Sequence, residues 1–119
     1  RLGYDFVHAE RAGGTALPRI PADRVHLAID FNHKIFTAVA QYANYAKQDR
    51  LSELELATEK YENLSLLLEI KHACADSTVT YFVQGENLTN DEQRNHSSFI
   101  KDFAPMPGRS VEAGLRFAF

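Results

Sequence analysis

Arg109-Ser110-Val111-Glu112-Ala113-Gly114-Leu115-Arg116-Phe117-Ala118-Phe119 is the stretch on which the fold turns. Val111, Ala113, Leu115, Phe117 and Phe119 occupy every second position, and Ser110, Glu112, Gly114, Arg116 and Ala118 fill the alternate ones. Successive side chains of a strand point to opposite faces, so this is a strand with one apolar face and one polar, charged face. Faces so different need different surroundings. A packed core and water would serve, and so would hydrocarbon and an aqueous lumen. The length, about eleven residues, suits a tilted strand that crosses a bilayer.

The same period of two recurs upstream, in segments 2–11, 24–32, 36–45, 64–72 and 79–87. The cleanest is 24–32, where Val25, Leu27, Ile29 and Phe31 face one way and Arg24, His26, Ala28, Asp30 and Asn32 the other. These segments run to roughly nine to eleven residues, the span of a barrel strand in a membrane. Strands of soluble proteins are usually nearer five or six. The connections alternate in length: 32–35 and 73–78 are short, whereas 12–23, 46–63 and 88–108 are long. Barrels of outer membranes have short turns at one end and long loops at the other. In the middle connection, Ser52 and Glu55 have the spacing of a helix capping box, but Glu53-Leu54-Glu55-Leu56 also alternates like a strand. A strand extension or irregular loop is expected there.

The bulk properties remove several function classes. A chain of 119 residues suggests one domain at most. The formal charge of −3 and the scattered basic residues argue against a nucleic-acid partner. The single Cys74 excludes an internal disulfide and a cysteine-based zinc site of the usual composition. No run of 18 apolar residues provides a transmembrane helix; the richest stretch, 64–70, is broken by Ser65 and Glu69. The chain opens on Arg1-Leu2-Gly3-Tyr4, already inside a strand pattern, and is expected to be a piece of something longer.

Three motifs then fall in order. Gly13-Gly14 is followed by Leu17-Pro18-Arg19-Ile20-Pro21 and Arg24. Gly85-Glu86-Asn87-Leu88-Thr89-Asn90 ends the fifth segment, and the stretch from Arg94-Asn95-His96-Ser97 through Pro105-Met106-Pro107-Gly108-Arg109 leads into the last. Together they resemble the carboxy-terminal end of TonB-dependent outer-membrane receptors, over essentially the whole chain. The resemblance implies an all-β fold: an antiparallel up-and-down transmembrane β-barrel segment, about six strands of a larger plugged barrel such as the 22-stranded transporters. The plug domain and the remaining strands would be absent from this chain. It implies a bacterial outer membrane, with the long connections outside and the short turns in the periplasm. The implied partners are outer-membrane lipid, the rest of the barrel and plug, the TonB complex acting through that plug, and barrel-assembly machinery that reads Phe119 and Phe117. The cargo would be a scarce metal or metal complex: zinc, haem or a ferric siderophore.

In the barrel arrangement Arg24, Asp30, Gln41, Glu69, Lys71, Gln84, Glu86, Glu112 and Arg116 face inward. The five histidines, His8, His26, His33, His72 and His96, are far apart and form no pair at helical or strand spacing. The 94–109 stretch looks most like receptors for zinc or haem. His96, with Asp49, Glu53, Glu55 and Glu59 in the preceding outer loop, are the candidates for capturing a cation. Catalysis is not expected: Ser97, His96 and Asp102 are close only in sequence, and there is no nucleophile elbow, phosphate loop or zinc-protease motif. No cofactor is expected in this segment. The rival reading is a small soluble β-barrel or sandwich acting as a binding module.

Overall fold

The computed structural model describes residues 1–119. The chain is all-β. Its strands are β1 (Leu2–Asp5), β2 (Arg24–His33), β3 (Phe36–Tyr45), β4 (Tyr61–Cys74), β5 (Ser77–Glu86) and β6 (Ser110–Ala118). They form one antiparallel up-and-down sheet in the order of the chain, and the sheet does not close.

The register carries the period of two from strand to strand. Leu2, Leu27, Tyr42 and Leu64 form one transverse row. Ile29, Ala40, Leu66, Gly85 and Val111 form another, and Phe36, Ile70, Tyr81 and Leu115 a third. All lie on one face, because pairing without slippage keeps like parity together. The opposite face carries rows such as Thr37, Glu69, Phe82 and Gly114. There Phe82 lies over its cross-strand partner Gly114, where an added Cβ would come 2.6 Å from Cζ. The glycine in the last strand thus makes room for an aromatic ring. Oppositely charged side chains link strands on this polar face: Arg1 with Asp30 at 2.7 Å, Arg24 with Asp5, and Arg116 with Glu69 at 3.3 Å.

Two boundaries differ from the sequence reading. The first strand ends at Asp5, not near Arg11. Asp5 pairs with Arg24, the first residue of β2, so the chain beyond Asp5 has no strand to pair with. Residues 9–17 instead fold on themselves, with Arg11 N donating to Thr15 O at 2.8 Å and Gly14 N to Arg11 O at 3.0 Å. Gly13 and Gly14 take φ of 132° and 81° to permit this turn. The fourth strand is longer than expected, with 14 residues, because Tyr61 already pairs with Tyr45.

Only 10 of 119 residues are buried, and the hydrophobic ones among them, Ala28 and Tyr61, lie on the polar face. The apolar face stands open: Ile29 is 59% exposed, Leu115 57% and Phe117 63%. The radius of gyration is 19.0 Å, against about 14 Å for a compact domain of this length. The chain therefore has no hydrophobic core of its own, and its long axis of 66 Å runs from tight turns to long loops.

The turns gather at one end. His33 pairs with Phe36 around Lys34 and Ile35, and Cys74 with Ser77 around Ala75 and Asp76. Lys34 and Ala75 adopt φ of 51° and 46°. The strand alternation sends residues 6–23, 46–60 and 87–109 to the opposite end.

Candidate functional site

The loop end has the opposite character to the sheet. Its buried residues are polar: Gln48, Thr58, Asn87, Gln93, His96 and Lys101. Residues 46–60 fold back through the bridge between Gln48 and Thr58. Gln48 donates from Nε2 to the carbonyls of Ile20 and Pro21 at 3.1 and 3.0 Å, which fastens this loop to residues 6–23. Arg50 adds a contact to Asp23 at 2.9 Å.

Glu55 is where all three loops meet. Its Oε1 accepts from Arg19 N at 3.0 Å, and its Oε2 from Ser52 N at 3.2 Å and Ser52 Oγ at 3.3 Å. Ser52 and Glu55 therefore make the contact of a capping box, but around a turn rather than a helix, with Leu54 at φ 66°. From residues 87–109, Lys101 Nζ reaches Glu55 Oε1 at 3.3 Å and donates to Leu56 O at 2.8 Å. His96 Nε2 lies 3.1 Å from Glu55 Oε1, and Thr58 Oγ1 is 2.9 Å from His96 Nδ1. An ionised carboxylate only accepts, so Nε2 carries the imidazole proton and Nδ1 accepts from the Thr58 hydroxyl.

The electrostatics follow from this packing. Burial pushes the Glu55 carboxyl up, but the N–H groups of Arg19 and Ser52 and the Lys101 ammonium outweigh it and hold it at about 2. Burial, then the Lys101 ammonium, press the His96 imidazole below its usual value, against the opposing pull of Glu55. At neutral pH the cluster holds one carboxylate, one ammonium and a neutral imidazole.

Of the candidates for cation capture, the structure brings together His96 and Glu55. The cation they hold is the chain's own Lys101. Asp49 is exposed, Glu59 pairs with Lys47 at 3.1 Å, and Glu53 lines a separate cavity of about 560 Å³ between the first two loops, beside His8, Glu10 and Arg50. No three His, Cys, Asp or Glu side chains converge as metal ligands. Phe117 and Phe119 lie at the far end of the molecule, with the Phe119 side chain fully exposed.

Lys101, Thr58 and Gln48 were not singled out from the sequence, since nothing in the pattern of an isolated polar residue says that it will be buried by a distant loop. Asn87 was visible as part of a motif without a role. It takes φ 49° and works in both directions. Its Oδ1 accepts from Asp91 N at 3.1 Å, and its Nδ2 donates to Asp91 O at 3.0 Å and Pro107 O at 3.2 Å. Asn90 Oδ1 accepts from Arg109 N at 3.2 Å. The Asn-Leu-Thr-Asn and Pro-Gly-Arg elements are thus two halves of one clamp that closes the last loop onto β5 and β6. No protein-family model matches the chain.

Proposed function

We propose that this chain is a carboxy-terminal part of a TonB-dependent receptor in a bacterial outer membrane, a wall segment of a larger plugged β-barrel that imports a scarce metal or metal complex. Zinc, haem and a ferric siderophore are all compatible with it. The observation that carries this reading is the continuous apolar face, open across six strands, on a chain with no core to bury it. A contiguous apolar surface of this kind marks contact with lipid or with other protein. A ten-residue strand such as β2 extends about 33 Å and, tilted by about 40°, matches an apolar band about 25 Å tall. Phe31, Phe36 and Phe117 near the turns, with Tyr4, Phe6 and Tyr42 near the loops, suit the aromatic girdles that flank such a band.

The roles then divide along the long axis. Further strands would pair with the free edges of β1 and β6, since open edges are not tolerated in hydrocarbon. The polar face would line the lumen and meet the plug, through which the TonB complex acts. The loop end would form part of the ligand mouth, with Glu53 at the cavity of about 560 Å³ between the first two loops. Phe119 would present the assembly signal at the periplasmic end. Covalent chemistry is not part of this reading.

The test is solubility of the chain purified from membranes. The receptor reading expects it to stay dispersed only in detergent or lipid. A chain that remains monomeric and folded in plain buffer would establish the rival, a soluble binding module.

A further inference from the structure

We propose that the Glu55–His96–Lys101 cluster is an acid-sensitive latch, in which protonation of His96 frees residues 87–109 from residues 46–60 and opens the loop end. The inference concerns the loops alone and holds whatever covers the apolar face of the sheet.

The geometry leaves little room for a second positive charge. His96 is 3% exposed and Lys101 5%, and the Lys101 ammonium lies 3.2 Å from Nδ1 and 3.3 Å from Nε2 of the imidazole. Glu55 is the one carboxylate in contact with both. With a neutral His96, the charges of Glu55 and Lys101 balance. A protonated His96 would set two buried cations against one anion and would force Nδ1 to donate where it now accepts.

The other groups around His96 do not outweigh this, although Asp102 pulls the other way. Within its own loop, Asp102 is exposed to solvent, and Arg94 is engaged with the Lys101 carbonyl and with Glu92. The 46–60 loop presents Glu55 and the Thr58 hydroxyl. From the strands, Asp5, Arg24, Tyr45 and Tyr61 share a cavity of about 400 Å³ with His96. Asp5 is bound to Arg24, with His26 beside it, and Tyr45 and Tyr61 stack at 4.3 Å. From the first loop, Arg19 reaches the cluster through its backbone N–H on Glu55. Glu55 itself stays ionised until strongly acidic pH, so His96 takes up a proton before Glu55 does as the pH falls.

The sign is fixed by the lowered affinity of His96 for a proton. The closed latch is fully stable above the ordinary imidazole value and weakens as the pH falls below it, because the open form binds the proton more tightly. Each pH unit in that range shifts the equilibrium by up to about tenfold.

Hydrogen exchange of the full chain, in whichever medium keeps it dispersed, tests the latch. Between pH 7.5 and 5.0, after correction for intrinsic rates, the amides of residues 95–102 should exchange faster, by up to about thirtyfold, while those of β3 and β4 stay unchanged. In His96→Gln the acceleration should disappear. In Lys101→Met it should shrink, since the repelling ammonium is gone while the burial that disfavours a charged His96 remains. An NMR titration of His96 in the wild-type chain gives a check that needs no variant, and its midpoint should lie below that of a free imidazole. Equal acceleration in His96→Gln, no acceleration in the wild type, or a normal midpoint would each overturn the proposal.

Discussion

The sheet and the loop end of this molecule are stabilised by opposite means. In the sheet the backbone ladder is complete from β1 to β6, yet Leu66, Leu68 and Ile70 of β4 stand open beside their neighbours. At the loop end there is no regular structure, yet Gln48, Thr58, His96 and Lys101 are buried and engaged. The apolar face of the sheet thus has no cover within this chain. The loops close on themselves through polar side chains, which lose their partners if any one is removed. A buried charge pair adds little net stability, but breaking it leaves a desolvated charge behind.

The largest expected effect comes from breaking that polar closure. Glu55→Gln removes the carboxylate that holds Arg19, Ser52 and Lys101 and leaves the Lys101 ammonium without its counter-charge. The loop end should lose about 3–5 kcal/mol, read as faster proteolysis and hydrogen exchange confined to residues 46–60 and 87–109. Acid should imitate this substitution. The carboxyl is held at about 2 against an ordinary 4.5, so its contribution is complete above the ordinary value and is lost as the pH falls from there towards the lower one. Strands that melt together with the loops would show the two regions to be one cooperative unit.

The next effect tests the sheet. Leu66→Arg places a cation on the apolar face, at a cost of about 2–4 kcal/mol if that face meets lipid near mid-depth. Glu69→Arg acts on the polar face, where it loses a partly exposed pair with Arg116 worth about 0–1 kcal/mol. Yield of assembled, protease-resistant protein should fall much further for Leu66→Arg. Equal losses would refute the assignment of the faces.

The smallest effect sharpens the picture at the turn end. Lys34 and Ala75 hold positive φ without the freedom of glycine. Lys34→Gly and Ala75→Gly should each relieve up to about 1 kcal/mol of backbone strain, seen as slightly slower unfolding with no change at the loops. Destabilisation by either glycine would mean that the side chain contributes contacts beyond the turn.

The strand segments were legible in the sequence because a period of two constrains every residue of a strand at once. Phe36–Tyr45 runs between its expected limits, and the alternation of Val111, Ala113, Leu115 and Phe117 maps onto one face of β6. The end of β1 was not legible. Phe6 and Val7 continue the apolar character, and only the position of Arg24 in the neighbouring strand decides that pairing stops at Asp5. Among the site candidates, His96 and Glu55 came from residue type and loop membership alone. Their partner Lys101 could not be found in the same way, since its burial depends on a loop more than 40 residues away.

The sequence by itself therefore determined the strands, their two unlike faces and the sorting of connections into short turns and long loops. These are local properties, written in the side-chain parity and spacing of each segment. Only the tertiary structure decided that the three loops converge on Glu55, that a histidine and a lysine share its carboxylate out of reach of water, and that the asparagine and proline–glycine motifs clasp one another. Those contacts join residues far apart in the chain, and their energies depend on a burial that no single segment possesses before the strands have brought the loops together.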